Sequence, residues 1–197
     1  AEGFGICMGK EADEQVDTLP SVEDAMPDEE QQVCEALQAR ASTDGVKYLD
    51  ENGNEQTADN VTVVESNMTA WNDGWYVVNS TVTINSRVTV SGKVHLILAD
   101  NASLIVNGGI NVAKSNSFSV YAQSVGENMG TLTATSSQSR AAGIGGGSNG
   151  SGGTITINGG TVNASGGDSG AGIGGGFNSF DGNITISGGT VTANGGE

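Results

Sequence analysis

Proline is nearly missing from this 197-residue chain: Pro20 and Pro27 are the only two, and both lie near the N-terminus. The remainder has no residue that removes a backbone donor, so long strand ladders are permitted. Cysteine is as scarce. Cys7 and Cys34 form no Cys-x-x-Cys pair, and with His95 the single histidine they cannot complete a four-ligand zinc site. A disulfide stapling the N-terminal segment is the preferred reading over two free thiols, and it is expected if the protein is exported.

Positive charge is also in short supply, with 7 Lys and Arg against 23 Asp and Glu and a formal net charge of -16. Residues 1–65 hold 17 of the acidic and 3 of the basic side chains, which leaves the rest nearly neutral. A basic surface for nucleic acid or anionic membrane is therefore not expected. No apolar run approaches the roughly 18 residues of a membrane span, and no signal peptide is recognisable. A chain opening Ala1-Glu2 is what a mature or trimmed product would give.

What the sequence has in abundance is glycine, 32 residues of it, placed mostly beyond Asn107. Shifting Ala142 to Asp168 by 29 positions lays it on Ala171 to Glu197 with 18 of 27 pairs identical, including Ala-Gly-Ile-Gly-Gly-Gly at Ala142 to Gly147 and Ala171 to Gly176. Within a unit, Gly153 to Gly160 and Thr161 to Gly167 are alternating runs bounded by glycine pairs, the pattern of strands and turns. Ile155, Ile157, Val162 and Ala164 should face one way, and Thr154, Thr156, Thr161 and Asn163 the other. One unit cannot bury its apolar side alone; stacking sets Ile155 on Ile184, Ile157 on Ile186 and Val162 on Val191.

The expected fold is all-β, a right-handed parallel β-helix with a small N-terminal helix and hairpin cap; the hand follows from the rule for parallel crossovers. Asparagine at Ile157 or Ile186 should be severely destabilising. Three regions are expected: an acidic leader and helix over 1–46, a hairpin and cap over 47–74, and the solenoid over 75–197. The helix is read from Asp28 to Ala41, with Val33, Cys34, Leu37 and Ala41 at helical spacing and acidic residues at its start. Asn52-Gly53 marks the hairpin, which should cover the first coil. About four coils of near-29-residue period should follow Trp75, and because Glu197 answers Asp168 inside a repeat, the chain is expected to be a piece of a longer protein.

Trp75-Tyr-Val-Val-Asn, Val94-His-Leu-Ile-Leu-Ala-Asp-Asn-Ala-Ser-Leu, Gly108-Gly-Ile-Asn-Val, Ser119-Val-Tyr-Ala-Gln, Gly130-Thr-Leu-Thr-Ala and the Ala-Gly-Ile-Gly-Gly-Gly repeats carry a resemblance. From about Tyr48 to Glu197 the chain resembles secreted or cell-surface β-helix repeat proteins of anaerobic gut bacteria. That resemblance implies an extracellular multidomain protein of adhesin or carbohydrate-binding type, with no catalytic motif to transfer.

The residues themselves supply little catalytic chemistry. Asp168 and Glu197 should stack one coil apart, a spacing that superficially suits a retaining glycosidase pair, but both follow glycine pairs in turns and read as solvated charges. His95 alternates with Val94, Leu96 and Leu98, so it points outward and reads as structural. Ser-His-Asp catalysis is unsupported, since serines are simply abundant, and Gly143 to Gly147 lacks the Lys-Ser/Thr of a phosphate loop. No enzyme activity, cofactor or metal is expected.

The variable loop is more informative, since Ser148 to Gly152 becomes Phe177 to Asp181 while its surroundings hold. Phe177, Asn178, Phe180 and Asp181 form the candidate ligand site, with rings for stacking on sugars and polar groups for hydroxyls. Packing of the two rings on a neighbouring loop or coil is the competing reading. The expected function is a non-enzymatic surface module for adhesion or glycan binding, monomeric as a fragment. One alternative is a polysaccharide lyase or hydrolase whose site lies outside this chain. Another is an ice-binding-like solenoid suggested by Thr131, Thr161 and Thr190, though Asn163 and Asn183 interrupt the adjacent columns.

Overall fold

The structure, a computed structural model, describes residues 43–180 and 182–197. The expected helix over Asp28 to Ala41 and the expected Cys7–Cys34 bridge lie outside these residues. The described chain opens with an antiparallel hairpin of β1 (Val46–Leu49) and β2 (Glu55–Ala58). Its connection is wider than a two-residue Asn-Gly turn. Leu49 pairs with Glu55, and the Asp50 carboxylate accepts the Asn52 and Asn54 amides, which holds that carboxyl below its usual range. Gly53 takes φ 80° to close the loop.

All other strand pairing is parallel. A partial coil carries β3 (Thr62–Val63) and β4 (Ala70–Trp71), and the first complete coil carries β5 (Gly74–Val78), β6 (Thr81–Ile84) and β7 (Val88–Val90). Next come β8 (Lys93–Leu98), β9 (Ser103–Val106) and β10 (Ile110–Asn111), then β11 (Ser117–Ala122), β12 (Thr131–Thr135) and β13 (Ile144–Gly145). The repeats proper supply β14 (Thr154–Ile157), β15 (Thr161–Ser165) and β16 (Ile173–Gly174), followed by β17 (Ile184–Ile186) and β18 (Thr190–Asn194). Three parallel sheets result: β3-β5-β8-β11-β14-β17 is the first face, β6-β9-β12-β15-β18 the second and β4-β7-β10-β13-β16 the third. The fold is a parallel β-helix.

The register is the one read from the repeat, with Ile155 on Ile184, Ile157 on Ile186 and Val162 on Val191. Parallel pairing begins at Thr62, earlier than Trp75, where alternation alone places it. On the first face the 29-residue period holds only between Ile155 and Ile184, since Gly74 to Val94 spans 20 residues, Val94 to Phe118 spans 24 and Phe118 to Ile155 spans 37, whereas on the second face Leu104 to Leu132 spans 28 and Leu132 to Val162 spans 30. Strand rungs set the helix, and corners absorb the difference.

Inward side chains form one continuous core. Leu96, Leu98, Leu104, Ile110, Phe118, Leu132, Ile144, Ile155 and Ile157 are all fully buried, each stabilising by about 1.5–3 kcal/mol relative to exposure. The Trp71 indole stacks on Phe118 with centroids 6.0 Å apart. A second, smaller cluster lies outside the tube. Val46, Ala58 and Val61 pack on Val77 and Ile97, which point outward from the first face. The hairpin therefore lies along the flank of several coils rather than over the first one, and Gln123 ties it there by donating to the Lys47 carbonyl at 3.1 Å. Paired apolar residues such as Val77-Val78 and Ile97-Leu98 make this possible, because one of each pair needs cover on the outside.

The third face is where glycine is needed. Gly145 pairs with Gly174, both at φ near +135°, and a Cβ on Gly145 would overlap the Gly174 carbonyl oxygen. At the edge of this face the guanidinium of Arg87 is largely buried. It donates to the carbonyls of Gly108 at 3.1 Å and Ala142 at 3.0 Å, with longer contacts to Gly145 and Gly146, so one side chain clamps successive coils. Burial lowers its pKa, and among the described residues no carboxylate pairs with it; carbonyl dipoles carry the charge.

Candidate functional site

On the outer side of the first face, strand parity gathers aromatic rings. The alternation that sends Tyr76 and Leu96 inward sends Trp75 and His95 outward, and parallel register sets these two side by side. Their rings stack with centroids 4.4 Å apart and planes 20° from parallel. Tyr121, beside Ile97 on the next coil, places its ring 5.3 Å from Trp75 and its hydroxyl 3.3 Å from His95 Nδ1. Tyr48 of the hairpin completes the group at 4.7 Å from Trp75 and 4.9 Å from Tyr121.

The Trp75 and His95 rings border an open cleft of about 530 Å3 whose other lining residues include Asp73, Lys93 and Ser115. Asp73 Oδ1 accepts the Lys93 amide, and Gly92 makes that reach possible: its φ is 80°, and a Cβ there would run into the Asp73 carboxylate. The Gly92 amide in turn donates to Asn116 Oδ1 at 2.8 Å, fixing the turn to the next coil. Asp73 and Lys93 are thus held at the mouth beside a flat ring pair. Among the described residues, Lys93 has no carboxylate partner within ion-pair distance.

The cluster is uncharged near neutrality. Burial lowers the His95 pKa, Lys93 adds to that and Asp73 opposes it. Burial likewise raises Tyr121, with a smaller opposing effect from the Ser119 hydrogen bond, and burial with Asp50 and Glu51 raises Tyr48. Protonating His95 is harder in the fold than in the unfolded chain, so its contribution to stability is present above about pH 6.5 and falls as pH drops through that value toward the folded pKa. The melting temperature of the native protein should fall more between pH 7.5 and 5.5 than that of His95→Gln. Identical slopes in a calorimetric pH series would show that His95 titrates as if unfolded.

Such a surface can stack on the apolar face of a sugar ring and exchange hydrogen bonds with its hydroxyls through Asp73, Lys93 and Ser115. Asp73 is the only carboxylate lining this cleft. Among the described residues no cluster of three His, Cys, Asp or Glu could hold a metal ion. Asp168 sits exposed in a turn, where its carboxylate accepts Ser139 Oγ at 3.2 Å, and Glu197 is exposed at the end of the sequence.

The expected loop site is built differently. Its two loops do lie together, since Ser179 Oγ donates to the Gly150 carbonyl at 2.9 Å and Gly152 donates to that of Phe180 at 3.1 Å. Phe177 is covered in part by Arg140, whose guanidinium carbon is 5.0 Å from the ring centroid, whereas Phe180 is 84% exposed. Asn178 has φ 52°, and Asp181 lies outside the described residues. Among the described residues no ring contact joins Phe177 to Phe180. Tyr48, Trp75 and Tyr121 were given no role by the sequence, although the outward parity of Trp75 and His95 was readable from their inward neighbours.

On the outer side of the second face, Thr81, Ser103, Thr131, Thr161 and Thr190 form one continuous column. The adjacent column is broken by Ile105 and Asn163.

No curated protein and no solved structure matches this chain. A family model described as Beta helix repeat matches residues 128–148, 155–177 and 184–196, the glycine-rich coils whose strands pair in register above. In fold and in repeat the chain is a parallel β-helix repeat protein.

Proposed function

We propose that this chain is a non-enzymatic, extracellular surface module that binds glycans, with the Trp75–His95 stack as its binding platform. The observation that carries this reading is the flat ring pair, 4.4 Å between centroids, half-exposed at an open cleft whose rim holds Asp73 and Lys93. A solenoid face is rigid, so the platform costs little to order on binding. The neutral state of His95 above pH 6.5 suits stacking on an uncharged sugar. The resemblance to surface β-helix proteins supports the extracellular setting and adhesion as the outcome of binding.

The loop of Phe177, Asn178, Phe180 and Asp181 is the secondary site within this reading, with Phe180 as its exposed ring. A glycan array on the full chain should return saturable binding that falls at least tenfold in Trp75→Ala, while the Phe177→Ala, Phe180→Ala double variant changes it less. Binding lost only in the double variant would move the site to the loop. No bound glycan would leave a scaffold as the better reading.

A further inference from the structure

Among the described residues, the second face lacks a strand that the other two possess. In the partial first coil β3 extends the first face and β4 the third, yet the chain between them, residues 64–69, makes no backbone hydrogen bond to β6. β6 is thus an edge strand. In each later coil the outward-facing residue donates its amide toward the coil before it: Ser103 to Ser80 O, Thr131 to Ala102 O, Thr161 to Gly130 O and Thr190 to Gly160 O. By that same parity the backbone N–H and C=O groups of Thr81 and Thr83 point toward the empty rung, and among the described residues nothing pairs with them. Both residues are exposed, and they border a groove of about 480 Å3 between residues 63–67 and 80–83.

We propose that this groove binds an extended peptide segment of a partner protein, which adds to β6 as the missing strand and carries a lysine or arginine beside its apolar residues. Alternating donors and acceptors along β6 are satisfied only by an extended main chain, which makes the partner a strand rather than a helix or a sugar. The charge follows from the lining, where Glu65 is exposed and no cation is present. A second copy of this chain is disfavoured by a net charge of -16. Val82, at 9% exposure the least covered of the inward residues on β6, and Val64 supply the apolar floor.

The test uses the full chain and a fluorescent acetyl-Lys-Thr-Val-Thr-Val-Lys-amide peptide, read by anisotropy. Saturable binding is expected, at least tenfold weaker for a peptide N-methylated along one edge and for one with both lysines replaced by glutamate. Thr83→Pro removes only the amide facing the empty rung, so it should weaken binding at least tenfold while leaving the far-ultraviolet dichroism spectrum unchanged. If that variant misfolds, Glu65→Lys serves instead and should weaken the lysine peptide while sparing the fold. The proposal is overturned by no binding, by binding indifferent to N-methylation or to Glu65→Lys, or by sedimentation showing that Thr83→Pro dissolves a self-associated form of the chain. Because the Trp75 platform lies on another face, Trp75→Ala should leave peptide binding intact.

Discussion

Gly145→Ala should unfold or severely destabilise this protein, by about 3 kcal/mol or more, while Gly147→Ala two residues away should be neutral or slightly stabilising. At Gly145 the φ of +135° is one that side chains rarely adopt, and the added methyl would collide with the Gly174 carbonyl of the next coil. The coils would have to part, breaking the contact of β13 with β16. At Gly147 the φ is ordinary and a Cβ would meet only Asn111 Oδ1, at 3.7 Å. The substitution then acts mainly on the unfolded chain, which loses freedom and so competes less well with the fold. Chemical denaturation of both variants decides the matter. Equal losses would mean that the glycine motif answers to something other than the approach of neighbouring coils.

Ile157→Asn should be the second large loss, about 3–5 kcal/mol, because it removes a fully buried side chain and leaves an amide without partners inside the tube. Ile186→Asn, expected from the repeat to be just as severe, should cost no more than about 1 kcal/mol. Both residues occupy the same rung position, but Ile186 is 54% exposed because no described coil lies above it. Melting curves for the pair test the ladder directly. A mild Ile157→Asn would contradict the inward face, and a severe Ile186→Asn would show that the last coil is covered in solution.

Repetition made the last coils legible from sequence down to their register. Thr161 on Thr190 and Val162 on Val191 follow from the 29-residue shift without any structure. The early coils were legible in parity but not in spacing, because a rung needs only two to six paired residues and corners of any length can join them. Val94 therefore meets Phe118 across 24 residues, and Phe118 meets Ile155 across 37. The aromatic platform was half legible. Trp75 and His95 follow from alternation, but Tyr48 joins them only because the hairpin folds back along the flank, and Tyr121 only because the coil between it and His95 has the length it has. The Phe177 loop stood out because it breaks the repeat, and a break in a repeat marks variation more directly than it marks a ligand.

The unequal coils also bear on how the chain finds its fold. Bringing two rungs together requires closing the loop between them, and closing 37 residues costs about 0.5 kcal/mol more than closing 20. The short closures from Gly74 to Val94 and from Val94 to Phe118 are also ones that bury Leu96, Leu98 and Phe118 and gain the hairpin as an outer brace. Early gain and low entropy coincide there, so that region is the natural nucleus. The glycine-rich coils have neither advantage, since glycine surrenders the most freedom on ordering and leaves no side chain to pack. They should add one after another on a template already formed, and on unfolding they should be the first to lose amide-exchange protection.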